Sequence, residues 1–413
     1  MTDTAILYEW LALAIRWAHV VTGIAWIGSS FYFIALDLGL RKNPGLPDFV
    51  SGEEWQVHGG GFYRMQKYMI APPELPEHLV WFKWESYATW LTGVAMLAVV
   101  YYLGADLYLI DRAVLDIDAP AAILISLASI GAGWLIYDLL CKSPLGRSDT
   151  GLMAVLFGVL VFMAWGYTNL FTGRAAFLHL GAFTATIMSA NVFFIIIPNQ
   201  KIVVADMKAG RTPAAHLGKA AKQRSLHNNY LTLPVIFFML SNHYPLAFAT
   251  QWNWLIAALI FLIGVVIRHF FNTKHRGGGL LYWPWLAAIV LFILIMWLST
   301  GPKLFPSAGD EATASRAAST FMQVESFAAA RDVVQSRCSM CHAQAPVWEG
   351  IRQAPNQVHL DTDPAIAARA REIYVQAGVS RAMPPGNVTE ITDEERSALI
   401  AWYRDGSSAG AWL

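Results

Sequence analysis

Cys338-Ser339-Met340-Cys341-His342 places two thiols about one helical turn apart, with an imidazole directly after the second. That spacing suits two thioether bonds to a porphyrin with the histidine turned onto its iron, so Cys338, Cys341 and His342 are expected to hold a covalent c-type haem. The other axial ligand must come from the opposite haem face. Met383 in Arg381-Ala382-Met383-Pro384-Pro385-Gly386 is suited to it, because the prolines stiffen the loop that presents the sulfur. His342 and Met383 are therefore the expected metal ligands. A zinc knuckle is the competing reading, but it wants a fourth Cys or His and only His359 offers itself. Thioether ligation raises the reduction potential relative to bis-histidine ligation, so electrons would arrive from a donor and leave toward a terminal oxidase.

The elements around this motif read as a small class I cytochrome c domain over 321–413, with helices before the motif, between it and Met383, and at the end. Thr392 to Glu395 has the form of a capping box opening the last helix, which carries Leu399, Ile400, Trp402 and Tyr403. The preceding 301–320, GPKLFPSAGDEATASRAAST, has the composition of a flexible tether.

Residues 1–300 are of another kind. Across the 413-residue chain 56% of residues are hydrophobic and 14% charged, and the mean hydropathy is +0.42, too apolar for an ordinary soluble domain. A formal net charge of +0 with no long basic run removes the electrostatic term that nucleic-acid binding needs. Of three cysteines two lie in the haem motif, so no disulfide framework exists, and Cys141 is expected to be a passive core thiol.

The expected fold class is all-α: a polytopic membrane helix bundle followed by the cytochrome domain. Eight transmembrane helices are predicted at Trp10 to Leu36, Tyr87 to Leu103, Pro120 to Leu140, Gly151 to Phe171, Ala175 to Ile197, Tyr230 to Thr250, Trp252 to Phe271 and Leu280 to Thr300. The first contains Arg16 and lacks an A-x-A cleavage site, so it reads as a retained span. An even number puts both termini on one side. Haem attachment to CxxCH resembles a process of the outer face of the bacterial inner membrane, which places the cytochrome domain in the periplasm. Under that orientation the inner connections carry fifteen Lys and Arg, from Arg41 to Arg276, against Arg112 and Arg174 outside, the positive-inside bias expected.

Ionisable and amide groups inside a membrane are costly enough to count as functional candidates. Toward the outer face lie Arg16, His19, His179 and His243. Two imidazoles from facing helices are a common way to hold a b-type haem, so His19 and His179 are expected as its ligands, the plain alternative being hydrogen bonds to neighbouring helices. Toward the inner face lie Lys83, Trp84, Glu85, Asn191, Asn199, Gln200, His227, Asn228, Asn229, Arg268, His269 and Asn272. From these an anion pocket is expected, with Arg268 or Lys83 as the clamp, Asn191, Gln200 and Asn228 reading a planar heterocycle, and Glu85 or His227 accepting a proton. Cationic residues at cytoplasmic helix ends are also what topology alone would give.

Three blocks together carry a resemblance: Trp17-Ala18-His19-Val20-Val21-Thr22-Gly23-Ile24-Ala25-Trp26-Ile27-Gly28, His227-Asn228-Asn229-Tyr230-Leu231-Thr232-Leu233-Pro234-Val235, and the carboxy-terminal CxxCH with Met-Pro. The chain resembles the membrane-bound bacterial urate oxidases fused to cytochrome c. The resemblance implies purine catabolism: oxidation of urate to 5-hydroxyisourate, with electrons leaving through the c haem to a respiratory acceptor such as cytochrome c or a terminal oxidase. The His-containing first span is also similar to haem-b-binding membrane families such as the bacterial protoporphyrinogen oxidase, which favours His19 as a ligand and an internal haem as a relay. The alternatives are a dehydrogenase for another small reductant such as quinol, and a non-catalytic electron-transfer subunit. No G-x-G-x-x-G fingerprint follows a strand, against a nicotinamide or flavin fold.

Overall fold

The computed structural model describes residues 2–47, 49–68, 72, 75–111, 114–248, 250–279, 281–304, 317–348, 351, 354–355 and 358–410. They form two compact units, one of Met1–Ala105 and Arg112–Thr300, the other of Asp106–Asp111 and Gly301–Leu413.

The first unit is a helix bundle. Its elements are α1 (Thr2–Gly39), a hairpin of β1 (Val50–His58) and β2 (Gly61–Tyr68), α2 (Trp84–Met96), α3 (Ala119–Lys142), α4 (Asp149–Thr168), α5 (Gly173–Ala190), α6 (Ile197–Lys208), α7 (Ala215–Leu240), α8 (Asn253–His275) and α9 (Trp283–Leu304). Side-chain caps start several of them. Asp118 accepts from the Ala121 N–H at 3.0 Å, Ser148 from Gly151 at 3.1 Å and Thr172 from Ala175 at 3.1 Å, each satisfying an amide that the helix start leaves unpaired. Wide π turns continue α2 through Leu97–Tyr102 and join α5 to α6 through Asn191–Ile196.

Close crossings hold the bundle. A Cβ at Gly264 of α8 would stand 2.5 Å from the ring of Pro234 on α7, and one at Gly133 of α3 would enter the Phe183 ring of α5. The distribution of side chains is inverted relative to a water-soluble domain. Trp17, Ile24, Leu127, Leu139, Phe162, Ile289 and Phe292 are exposed, while Asp138, Arg224, His227, Asn229 and Arg268 are buried.

Among the described residues, five helical segments are long and apolar enough to cross a membrane: Trp10–Gly39, Ala119–Lys142, Asp149–Thr168, Gly173–Lys208 and Asn253–His275. Two of the other three expected spans differ. Trp84-Glu85-Ser86-Tyr87 dilutes the start of α2. The apolar run from Tyr230 is helical only to Leu240, where 3-10 turns at Ser241–His243 and Pro245–Ala247 replace the helix. α9 carries the last expected span as an apolar helix, Trp283–Ser299, within Trp283–Leu304.

The all-α expectation is also corrected by the hairpin, paired antiparallel from Gly52↔Lys67 to His58↔Gly61. Its turn needs Gly59 and Gly60, whose φ values are +58° and +80°.

The second unit has a core of Phe321, Phe327, Val334, Leu360, Ile366, Leu399 and Trp402, assembled from α10 (Phe327–Arg337), α11 (Asp393–Ser408) and the short helices between them. Trp402 Nε1 donates to the Phe321 carbonyl at 2.9 Å, and the Arg337 guanidinium lies 3.0 Å from the Glu395 carboxylate. The capping box at Thr392 and Glu395 forms in both directions. The expected tether 301–320 is narrower than its composition suggests. α9 continues to Leu304, and 317–323 are helical with Ala317 and Ala318 in the core; 305–316 lie outside the described residues.

Candidate functional site

The polar residues expected toward the inner face include two clusters on different sides of α7. Because successive residues of a helix point about 100° apart, His227 and Asn228 turn toward α3 and α5 while Asn229 turns toward α8.

On the α3 side, Arg224 Nη2 donates to Asp138 Oδ1 at 2.6 Å, and Lys142 Nζ lies 2.7 Å from Asp138 Oδ2. Arg224 Nη1 donates to Asn191 Oδ1 at 3.2 Å, Asn191 Nδ2 to Asn228 Oδ1 at 3.0 Å, and Asn228 Nδ2 to the Met188 carbonyl at 3.0 Å. His227 Nδ1 shares a 2.8 Å hydrogen bond with the Tyr137 hydroxyl, while its Nε2 is buried without a hydrogen-bond partner, 4.0 Å from Asp149. This network is charge-compensated, and Asn191 and Asn228 spend their amide edges on each other and on the backbone. They are therefore not free to read a heterocycle together, although Asn228, with Trp26, Ser30, Met188 and Thr232, lines a cavity of about 40 Å³.

On the α8 side the balance is different. Arg268 is buried, and no carboxylate among the described residues lies within ion-pair distance of it. Its Nε donates to Asn229 Oδ1 at 3.3 Å and its Nη2 to Asn272 Oδ1 at 3.2 Å, and the guanidinium lies over the Phe31 ring at 4.2 Å. Asn272 Nδ2 donates to the same Asn229 oxygen at 3.1 Å, which leaves Asn229 Nδ2 buried with no partner. An uncompensated cation, an orphaned amide donor and a flat ring form the donor set for a planar anion, since a buried charge is costly until something pairs with it.

The other predicted site residues stand apart. Lys83 precedes α2, its ammonium 5.9 Å from the Trp84 ring. Glu85, in the first turn of α2, has a buried Oε2 without a partner. Gln200 is exposed on α6, its neighbour Asn199 being the one that bonds inward to the Leu217 carbonyl at 3.2 Å, so Gln200 leaves the expected pocket. Asp138, Tyr137 and Arg224 escaped sequence reasoning as site residues. An acid within an apolar span was the signal for Asp138, and its partner lies 86 positions away.

His19 and His179 have separate neighbours. His19 Nδ1 lies 3.1 Å from the Thr89 carbonyl and from Thr92 Oγ1, whereas the His179 ring lies 5.9 Å from that of Tyr101. Thr92 and Tyr101, their neighbours on the α2 segment, are nine residues or roughly 13 Å of helix apart. His179 donates from Nδ1 to Ala175 at 2.7 Å, and Phe171 and Tyr167 pack on its ring at 4.8 and 5.8 Å. His179 Nε2 is buried without a hydrogen-bond partner among the described residues.

The residues of the second unit do fit a covalent haem. His342 Nδ1 faces the Val358 carbonyl at 3.1 Å; a carbonyl only accepts, so the proton is on Nδ1 and Nε2 keeps its lone pair for iron. The Cys341 and His342 amides both donate to the Cys338 carbonyl, at 3.2 and 3.0 Å, winding the motif into a turn at the end of α10. All three cysteines are free thiols, and burial pushes the Cys338 thiol up to about 11. The Met383 loop is pinned at both backbone groups: its N–H donates to the Gln376 carbonyl at 2.9 Å and its carbonyl accepts from Arg396 at 3.0 Å. Among the described residues no three Cys, His, Asp or Glu side chains converge as ligands, which a zinc knuckle would require.

Fold and site define a helix-bundle protein with apolar outer faces and a buried polar interior, joined to a small helical domain bearing CxxCH. Residues 5–299 match the urate oxidase N-terminal family, and the chain belongs to that family. Searches among curated proteins and among solved structures give no match.

Proposed function

We propose that the protein is a membrane-embedded urate oxidase that converts urate to 5-hydroxyisourate and sends the electrons out through a c haem on its second unit. The observation that supports this reading is the buried Arg268 guanidinium without a carboxylate partner among the described residues, in a chain of the urate oxidase N-terminal family. Urate is a planar anion. Arg268 would pair with its charge, Asn229 Nδ2 would supply the second donor, and Phe31 would flank the site. Water adds to urate as two electrons and two protons leave. The proton-accepting role falls to Glu85 or His227, whose Oε2 and Nε2 are among the buried acceptors without a hydrogen-bond partner, although both lie outside the Arg268 cluster.

Cys338 and Cys341 would bind the haem covalently, with His342 Nε2 and Met383 Sδ on its iron. Bound there, the haem supplies a one-electron acceptor. His342 is oriented for this by Val358, and Arg396 holds the Met383 backbone in place. The inverted side-chain distribution supports a bilayer around the first unit, and the positive-inside bias supports a periplasmic second unit in a bacterial inner membrane. An acceptor such as cytochrome c or a terminal oxidase would then take the electrons.

Anaerobic titration of the purified protein with urate, followed by visible spectroscopy, tests the reading. Urate alone should reduce a c-type haem. Reduction by quinol but not urate would assign a different dehydrogenase, and reduction only with an added partner would make the chain an electron-transfer subunit.

A further inference from the structure

The β1–β2 hairpin is pinned at its base to the end of α1. Lys67 pairs with Asp37, and Arg41 and Glu53 exchange backbone hydrogen bonds of 2.9 Å. From there the hairpin runs back along α1 and not away from it. The Glu54 carboxylate fills the place a Cβ at Gly39 would take, while Gln56, two residues further out, accepts from the Tyr32 hydroxyl at 2.6 Å. Moving toward the tip therefore means moving back along a helix long enough to cross a membrane, by as much as seven residues or roughly 10 Å.

The pairing register sorts the two faces. Glu54, Gln56 and their partners Met65 and Tyr63 share the face that meets α1. The other face carries Glu53 opposite Gln66 at the base, Trp55 opposite Arg64 in the middle, and Val57 opposite Phe62 at the tip. Trp55, Val57 and Phe62 are 60, 69 and 76% exposed, and the Arg64 guanidinium lies 5.6 Å from the Trp55 ring. From base to tip the sequence is thus carboxylate and amide, then Trp with Arg, then Val with Phe. Water, headgroups and the upper acyl chains demand that same order.

We propose that this hairpin is an interfacial anchor whose Trp55, Val57 and Phe62 face beds into the headgroup–acyl boundary of a lipid bilayer. The inference rests on the membrane-spanning reading of the first unit. The Trp10–Gly39 segment spans about 45 Å against roughly 30 Å of hydrocarbon, so its last turns belong to the interface and Tyr32 stands near the boundary. The unpaired strand edges keep the hairpin at headgroup depth, because open sheet edges do not enter the hydrocarbon. Arg64 and Lys67 suit the anionic component of that surface.

The test uses the full chain in nanodiscs of phosphatidylethanolamine and phosphatidylglycerol, with a photoreactive diazirine amino acid placed singly at Val57, Phe62, Leu127 or Ala214. Position 127, exposed on α3, reports the hydrocarbon, and position 214, exposed ahead of α7, reports water. After illumination, mass spectrometry should find lipid adducts at 57, 62 and 127 in several-fold excess over 214. Phe62→Asp should cut the adduct yield at position 57 several-fold. Lipid at 127 with only protein or water adducts at 57 and 62 would overturn the anchor alone. Absence of lipid at 127 as well would overturn the membrane-spanning reading and the anchor with it.

Discussion

Asp138 and Arg224 form an ion pair of 2.6 Å in the bundle interior, their side chains 8 and 4% exposed, joining α3 to α7. The pair is not symmetric. Asp138 also holds Lys142 at 2.7 Å, whereas Arg224 has no second carboxylate among the described residues and leans on the Asn191 amide oxygen.

That asymmetry sets the cost of each deletion. Removing one partner of a buried pair costs about 3–5 kcal/mol because the other charge stays uncompensated. Asp138→Ala should approach that figure, while Arg224→Ala should cost less, since Lys142 still neutralises Asp138. Thermal unfolding of the two variants in detergent should rank them in that order, and equal losses would contradict the network as drawn.

Arg268 is the residue whose loss should matter to substrate. Hydrogen bonds to charged groups contribute about 1.5–3 kcal/mol, equivalent to roughly 10- to 150-fold in affinity. Arg268→Gln should raise the KM for urate within that range and leave the haem spectrum of the second unit unchanged. A KM equal to the native value would remove Arg268 from the site.

At the haem, the two axial roles separate. Met383→Ala should retain covalent haem, because the thioether bonds come from Cys338 and Cys341, but lower its reduction potential, since the sulfur ligand is what raises it. Spectroelectrochemical titration measures the shift. Cys338→Ala with Cys341→Ala should abolish covalent attachment, seen as loss of haem staining on a denaturing gel.

The hairpin should depend on acid pH through Glu53. Hydrogen bonds from Arg64 at 2.6 Å and Asn43 at 2.8 Å hold its carboxyl below the ordinary range. A depressed folded value stabilises at pH above the unfolded value, near about 4.3, and that stabilisation disappears as pH falls through the folded value. Hydrogen exchange across 50–68 should quicken in that acid window, and Glu53→Gln should flatten the dependence.

The capping box at Thr392 was legible because it is local: its atoms meet within one turn of the chain. Membrane character was legible from hydropathy for the same reason, although two expected spans differ where Glu85 and the turns after Leu240 break the pattern. The hairpin was hidden. His58-Gly59-Gly60-Gly61 is a turn signal, but the strands around it carry charges and read as a cationic loop.

The sequence by itself determined which chemistries the chain carries: thiols and an imidazole at haem spacing, and costly polar groups set into apolar helices. Only the tertiary structure decided which of those groups meet. Asn228 and Asn229 are adjacent in the chain yet serve opposite sides of α7, one bonding to Asn191 and the other to Arg268 and Asn272. The reason is geometric. Helical rotation and the register between packed helices fix contacts between residues distant in the chain, and neither is encoded in spacing along it.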